Sequence, residues 1–324
     1  MMPMPCPKKR LISTIPSLVG WLLLAHSAAG FAVPTPSGSL PTTPTLAIAP
    51  SSVHLHNVTH AYPDTLWRRL TSSVPRRTYA LQGVNLTLHP ANFTLLTGPS
   101  SAGKSTLFGL LLDGKEAVPS ICGSIEISCA FVKSHFFVVH AHEGIRPIDN
   151  VVSPLTTHHA QPILLVEKPS LIPSALTPRQ YLQKCVERQS KKTATSLLLD
   201  VLLDCLNNAN DTWMDTPSTQ CSQSQLYVVQ LVLAAFQSMT FHVPRDITAT
   251  HETVMAYPAP ILLLDEWLDK ETSGVIRSVQ SHMEHLVACT GAVIICATHY
   301  PDRFDTNNNI RHIKLQLGRV VGDA

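Results

Sequence analysis

One run of residues limits what this chain can fold into more than any other: Asn92-Phe-Thr-Leu-Leu-Thr, then Gly98-Pro99-Ser100-Ser101-Ala102-Gly103-Lys104-Ser105-Thr106, then Leu-Phe-Gly-Leu-Leu-Leu. An apolar strand, a G-x-x-x-x-G-K-S turn and an apolar helix follow one another without a gap, the context in which this spacing forms a phosphate loop. Gly98 and Gly103 allow the backbone to turn so tightly that successive N–H groups face an anion. The helix opening at Lys104 adds the positive end of its dipole. In such a loop Lys104 reaches the β- and γ-phosphates of a nucleotide, Ser105 ligates Mg2+ and Thr106 lies by the α-phosphate.

A phosphate loop alone is shared by kinases, GTPases and motor ATPases, and the rest of the chain narrows the choice. Ahead of it, HLHNVTHAYP and ALQGVNLTLHP read as short strands of an antiparallel layer with a tight turn at Gly83. Behind it, APILLLDEWLD is a continuous apolar strand closing on Asp265 and Glu266, and GAVIICATHYP is a second buried strand closing on His299. Adjacent acids at the end of a buried strand serve chemistry more readily than packing. Thr177 is placed to cap a helix through Arg179 and Val186, and Thr195 or Ser196 to cap a second through Leu206.

These pieces, in this order, resemble the nucleotide-binding domain of ABC transporters and their soluble relatives from about Ser52 to the C-terminus. The resemblance implies an α/β fold: a P-loop NTPase core of mostly parallel sheet, a small antiparallel N-terminal layer and an inserted helical subdomain at about 175–245. It implies ATP and Mg2+ as cofactors, Tyr62 stacked on adenine, Asp265 on magnesium, Glu266 as the base that polarises the attacking water, and His299 as the switch histidine at the γ-phosphate. Glu167 stands where the family has a glutamine beside the metal, which makes it a metal-side residue.

At the signature motif, where the family has LSGGQ, this chain has Cys221, Ser222, Gln223, Ser224 and Gln225. Ser222 and Gln225 persist as residues expected to touch the nucleotide held by a partner subunit, but both glycines are replaced. After the paired acids, Trp267-Leu-Asp269-Lys-Glu271-Thr272 replaces the family's proline and SALD-like turn, with Asp269 or none of these residues as the dimer-facing aspartate. The implied activity is ATP hydrolysis in a head-to-tail homo- or heterodimer with another ABC-type domain, energising transport through a separate transmembrane subunit. The alternative is an ATP-binding, weakly hydrolysing regulatory or assembly subunit. Stretches around Lys133–His159 and Thr240–Pro258 read as loops.

Composition excludes other classes. The net charge of +2 and the lack of any long run of like charge leave no nucleic-acid footprint. The eight cysteines form no C-x-x-C pair and read as reduced, mostly buried thiols. No later segment matches the length and apolarity of the one near the N-terminus, where Lys8, Lys9 and Arg10, an apolar stretch and Ala28-Ala29-Gly30 have the three parts of a signal peptide over residues 1–30. A Ser/Thr/Pro-rich linker follows at 31–51, and the folded domain is expected over 52–324. With Phe31 at the new N-terminus, this leader resembles the bipartite plastid-targeting sequence of diatoms and related algae, implying a stromal location, with the secretory pathway as the alternative. Four N-x-T sequons, at Asn57, Asn85, Asn92 and Asn210, read as accidental, since Asn92 opens the strand that feeds the phosphate loop.

Overall fold

The computed structural model describes residues 46–62, 78–112, 121–129, 132–138, 163–169, 172–189, 193–206, 212–240, 255–305 and 310–323. The leader, the sequon at Asn210 and the greater part of both expected loops lie outside them.

Six strands form the central sheet in the order β12 (Arg319–Asp323), β11 (Ile310–Gln316), β4 (Asn92–Thr97), β10 (Val293–Thr298), β9 (Ile261–Asp265) and β7 (Ile163–Leu165). All neighbours are parallel except β11 and β12, which form an antiparallel hairpin at the edge. The central strands β9 (ILLLD) and β10 (VIICAT) are buried nearly throughout because both faces are covered. Successive residues of β9 alternate between two cores: Leu262 and Leu264 face one, Ile261 and Leu263 the other.

The first core is closed by α2 (Pro178–Gln189), α3 (Thr193–Leu206), α4 (Gln223–Thr240) and α5 (Ser273–Thr290). The second is closed by α1 (Lys104–Leu112) and by a four-stranded antiparallel sheet ordered β3 (Thr78–Leu88), β2 (Ser52–Tyr62), β5 (Ile121–Cys129), β6 (Val132–Val138). This is the α/β architecture expected from the sequence, a phosphate-loop core of mostly parallel sheet with an antiparallel layer and inserted helices.

Helix α5 has both ends defined by local chemistry. Thr272 accepts from the N–H of Val275 at its start, and Gly291, at φ +67°, donates its N–H to Val287 at its end. At α2, Thr177 caps the helix as expected, and Gln180 completes a reciprocal cap, each side chain accepting from the other's backbone N–H at 3.3 and 3.2 Å.

Three expectations need correction. β2 and β3 are long strands of 11 residues each, and Gly83 (φ +61°) sits inside β3 at an irregularity, its N–H donated to Thr59 Oγ1, instead of at a turn. Helix α3 begins at Thr193, so Thr195 and Ser196 lie within it. Parts of the two expected loops are strands: β6 pairs with β5, while β8 (Met255–Pro258) pairs in parallel with β1 (Leu46–Ala49), a strand inside the segment read as linker. In the inserted helices between β7 and β8, Leu182, Leu202 and Phe236 share one buried cluster with Phe93, Leu264 and Ile294 of the sheet.

The cysteine reading also changes. Cys185, Cys205, Cys221, Cys289 and Cys296 are unbridged, but of these only Cys296 is buried and Cys289 is exposed.

Candidate functional site: a phosphate loop at the ends of three strands

Parallel register alone gathers the site. Thr97, the last residue of β4, pairs with Thr298, the last of β10, and Ala297 pairs with Asp265, the last of β9. The turns leaving three adjacent strands therefore emerge side by side at their carboxyl ends, where open α/β sheets bind ligands. They carry the phosphate loop, the Asp265–Glu266 pair and His299. A cavity of about 330 Å³ opens there, lined by Tyr62, Tyr79, Ala80, Ser100 through Thr106, Glu266 and His299.

The loop is built on close backbone approaches. Gly98 has φ +149° and Gly103 φ +103°. A β-carbon on Gly103 would stand 2.5 Å from the Ala80 carbonyl oxygen, and one on Gly98 would collide with the Leu315 carbonyl. Inside the loop Ala102 donates its N–H to Pro99 O at 3.1 Å, and Gly318, in the β11–β12 turn, donates to Ala102 O at 3.1 Å. Ser101, at φ +66°, also takes the left-handed conformation.

Lys104 is buried, and its ammonium curls back to donate to the carbonyls of Gly98 at 2.8 Å and Pro99 at 3.3 Å. Burial pushes its pKa down, opposed by the charges of Glu266, Asp265 and Asp269. The ammonium so placed is within the loop that an anion entering the cavity would meet.

Glu266 leaves β9 at φ +47°, left-handed for a residue with a side chain, while its N–H donates to Ala297 O at 3.0 Å. A side chain in that conformation costs on the order of 1–2 kcal/mol and is held only where the surroundings over-determine it, as at working sites. It turns the carboxylate toward His299, whose Nε2 lies 2.9 Å from Glu266 Oε1. The neighbouring Asp265 has its Oδ1 buried without a hydrogen-bond partner among the described residues. An acceptor left in that state is completed by a donor or a cation.

Tyr62 is 49% exposed at the mouth of the cavity, its hydroxyl 2.8 Å from Thr106 Oγ1 and its ring edge-on to His60 at 5.1 Å. Tyr79, 48% exposed, stands on the same cavity wall. The sequence reading did not single out Tyr79 or Ala80. Their signal was the Thr-Tyr-Ala-Leu run that opens β3, which only the β2–β3 register (Ala61 to Tyr79) brings beside Tyr62.

Six expected site residues are not on the wall of this cavity: Gly98 and Pro99, at the start of the loop, Asp265, Glu167, Ser222 and Gln225. Glu167 is exposed, and the bond that fixes its segment runs from Trp267 Nε1 to its backbone carbonyl at 2.8 Å, so its carboxylate is not part of the wall. Ser222 and Gln225 serve their own helix: Ser222 N–H donates to Gln225 Oε1 at 2.8 Å and Gln225 N–H to Ser222 Oγ at 3.4 Å, a reciprocal cap at the start of α4. Asp269, considered for a dimer-facing role, turns inward and accepts from the Thr298 hydroxyl at 2.6 Å and the His299 N–H at 3.0 Å.

No family model matches the chain, and no curated protein matches it. Solved structures of similar shape include a nucleotide-free ATP-binding cassette from an ABC transporter, at 13% identity and TM-score 0.49 over 85% of this chain and 91% of that one. A bacterial ABC transporter cassette in dimeric form matches at 19% identity and TM-score 0.48, over 84% of this chain and 97% of that one. A bacterial Atm1-family ABC exporter with ATP bound matches at 16% identity and TM-score 0.47, over 89% of this chain and 41% of that one.

Proposed function

We propose that this chain binds ATP at the Gly98–Thr106 loop and hydrolyses it, as a nucleotide-binding domain of the ABC type. One observation carries the reading: Lys104, Glu266 and His299 meet around a single cavity at the ends of three neighbouring parallel strands. Backbone N–H groups of the loop and the start of α1 face the phosphates, and Lys104 exchanges its carbonyl partners for the β- and γ-oxygens. Tyr62 offers its exposed ring to the adenine.

The Ser105 hydroxyl, on the cavity wall, and Asp265, whose buried Oδ1 has no hydrogen-bond partner among the described residues, offer oxygen donors of the kind magnesium takes, and they are the residues that would hold it. Bound there, magnesium supplies neutralising charge on the phosphate oxygens. Glu266 accepts a hydrogen bond from the attacking water and draws off its proton. His299, against Glu266, holds the carboxylate in place and presents its ring to the departing phosphate. The chemistry is then positioning and charge stabilisation, as phosphoryl transfer requires.

Two copies, or this chain and a related one, join head to tail across the nucleotide, and a separate membrane subunit couples the cycle to transport. The leader directs the chain to the plastid; residues 1–51 fused to a fluorescent protein would reach the stroma, and Phe31→Ala would divert the fusion. Gln223 and Ser224 in the place of glycines favour a second reading, a weakly hydrolysing subunit that relies on its partner's signature motif.

The test is magnesium-dependent ATP turnover by the purified chain beside Glu266→Gln, with light scattering to follow association. Turnover that Glu266→Gln abolishes, leaving an ATP-dependent dimer, supports the enzyme. Binding without turnover or dimer favours the second reading, and an absence of ATP binding contradicts both.

A further inference from the structure

The turn after the paired acids is held at several points. Trp267 donates Nε1–H to the Glu167 carbonyl and stacks edge-on against Tyr227 of α4, with centroids 4.7 Å apart. The Tyr227 hydroxyl donates to Glu271 Oε1 at 2.8 Å. The Arg303 guanidinium donates to the backbone carbonyls of Asp269 at 3.0 Å and Glu271 at 3.2 Å, and its face lies 4.2 Å from the Tyr300 ring. The turn is thus tied to α4 on one side and to the segment beyond His299 on the other.

From this fixed turn Asp269 reaches across to the end of β10. One carboxylate oxygen accepts the Thr298 hydroxyl and the other the His299 backbone N–H. The same Thr298 oxygen accepts the N–H of Tyr300 at 3.0 Å. Three consecutive residues at the switch position therefore hang on one side chain, and the middle one carries the imidazole that meets Glu266. Bonds to an ionised carboxylate are the stronger kind, and leaving the two donors without it exposes their full desolvation cost.

We propose that Asp269 is a positioning residue for hydrolysis: it grips Thr298 and His299 so that the imidazole stays against Glu266, and it governs the chemical step without governing nucleotide affinity. Asp269 is not on the cavity wall, and its hydrogen-bonded hold on the site runs through Thr298 and His299. The proposal rests on the hydrolytic reading above, and two measurements separate its failure from that of the reading.

The first needs no nucleotide. The full chain is labelled with 15N-histidine and the His299 amide is assigned by its loss in His299→Gln. In Asp269→Ala that amide shifts and exchanges with solvent at least about tenfold faster, while Asp269→Asn, keeping one acceptor, lies between. The second is steady-state ATP hydrolysis. Asp269→Ala loses about tenfold to a hundredfold in kcat with KM for ATP within about twofold of the parent, and Asp269→Asn again lies between.

An unmoved His299 amide overturns the proposal, as does a parental kcat in Asp269→Ala, or a loss that falls on KM alone. Should Asp269→Ala fail to fold, Asp269→Asn decides both measurements by the same criteria. If the parent hydrolyses no ATP, the functional reading fails, and the amide measurement still decides whether Asp269 holds His299.

Discussion

Replacing Gly103 by alanine isolates what the phosphate loop demands of its backbone. At φ +103° an L-residue is strained by about 1–2 kcal/mol before any neighbour is considered. The added β-carbon would also lie 2.5 Å from Ala80 O and 2.8 Å from Leu81 Cδ2. The first neighbour is the backbone of strand β3 and cannot turn away as a side-chain tip could, so the loop must lift off the antiparallel layer. Overpacking of that kind costs typically about 1–3 kcal/mol. Together the effects predict a loss of roughly 2–5 kcal/mol in unfolding free energy without nucleotide, together with weakened ATP binding. Gly109 supplies the control six residues along the same run. It lies within α1 with nothing within 4 Å of its added β-carbon, and alanine there should stabilise by about 0.5–1 kcal/mol. Urea unfolding of the parent and both variants, followed by far-ultraviolet circular dichroism, measures the contrast. If Gly103→Ala proves as stable as Gly109→Ala, the close approach of loop and strand described above is wrong.

Other positions give sharper signs than sizes. Glu266→Gly should abolish turnover yet leave the fold as stable as the parent or more stable by up to about 1 kcal/mol, because glycine relieves the left-handed strain at φ +47°; parallel thermal unfolding and ATPase assays check the opposed effects. The Arg311 guanidinium holds Asp323 below its ordinary carboxylate range, chiefly through their hydrogen bonds. A folded-state pKa that is depressed stabilises above the unfolded value of about 3.9, and the gain disappears as pH falls through the folded value. Since Asp323 is 42% exposed, Asp323→Asn should cost at most about 1 kcal/mol at pH 7 and nothing once both states are protonated, as unfolding midpoints from pH 7 to pH 2.5 would record. Trp267→Phe removes the bond to the Glu167 carbonyl while keeping a ring against Tyr227, and should cost about 1–3 kcal/mol in urea unfolding.

The parts of the fold legible in the sequence are those written locally. The run from Asn92 to Leu112 carries its strand, loop and helix in one stretch, and the apolar strands ending in Asp265–Glu266 and Thr298–His299 announce both burial and an abrupt change of chemistry. The cap at Thr177 was legible for the same reason. What escaped depends on residues far apart in the chain. β1 gains its place only by pairing with β8, some two hundred positions later, and nothing in Leu-Ala-Ile-Ala distinguishes it from linker. Gly83 reads as a turn because tight turns and strand irregularities both favour a left-handed residue. Asp269 is one acid among several on a polar turn until the sheet register brings Thr298 and His299 beside it.

The account stands or falls on whether the Gly98–Thr106 loop holds ATP. Isothermal titration of the chain with ATP and magnesium, beside Lys104→Ala, asks this directly, since Lys104 is buried in the loop with its ammonium bound, among the described residues, to the carbonyls of Gly98 and Pro99. The account predicts saturable binding of one ATP per chain, weakened at least about tenfold in Lys104→Ala, consistent with loss of a buried charge-assisted contact. Equal affinity in the two proteins, or no binding by the parent, would contradict it.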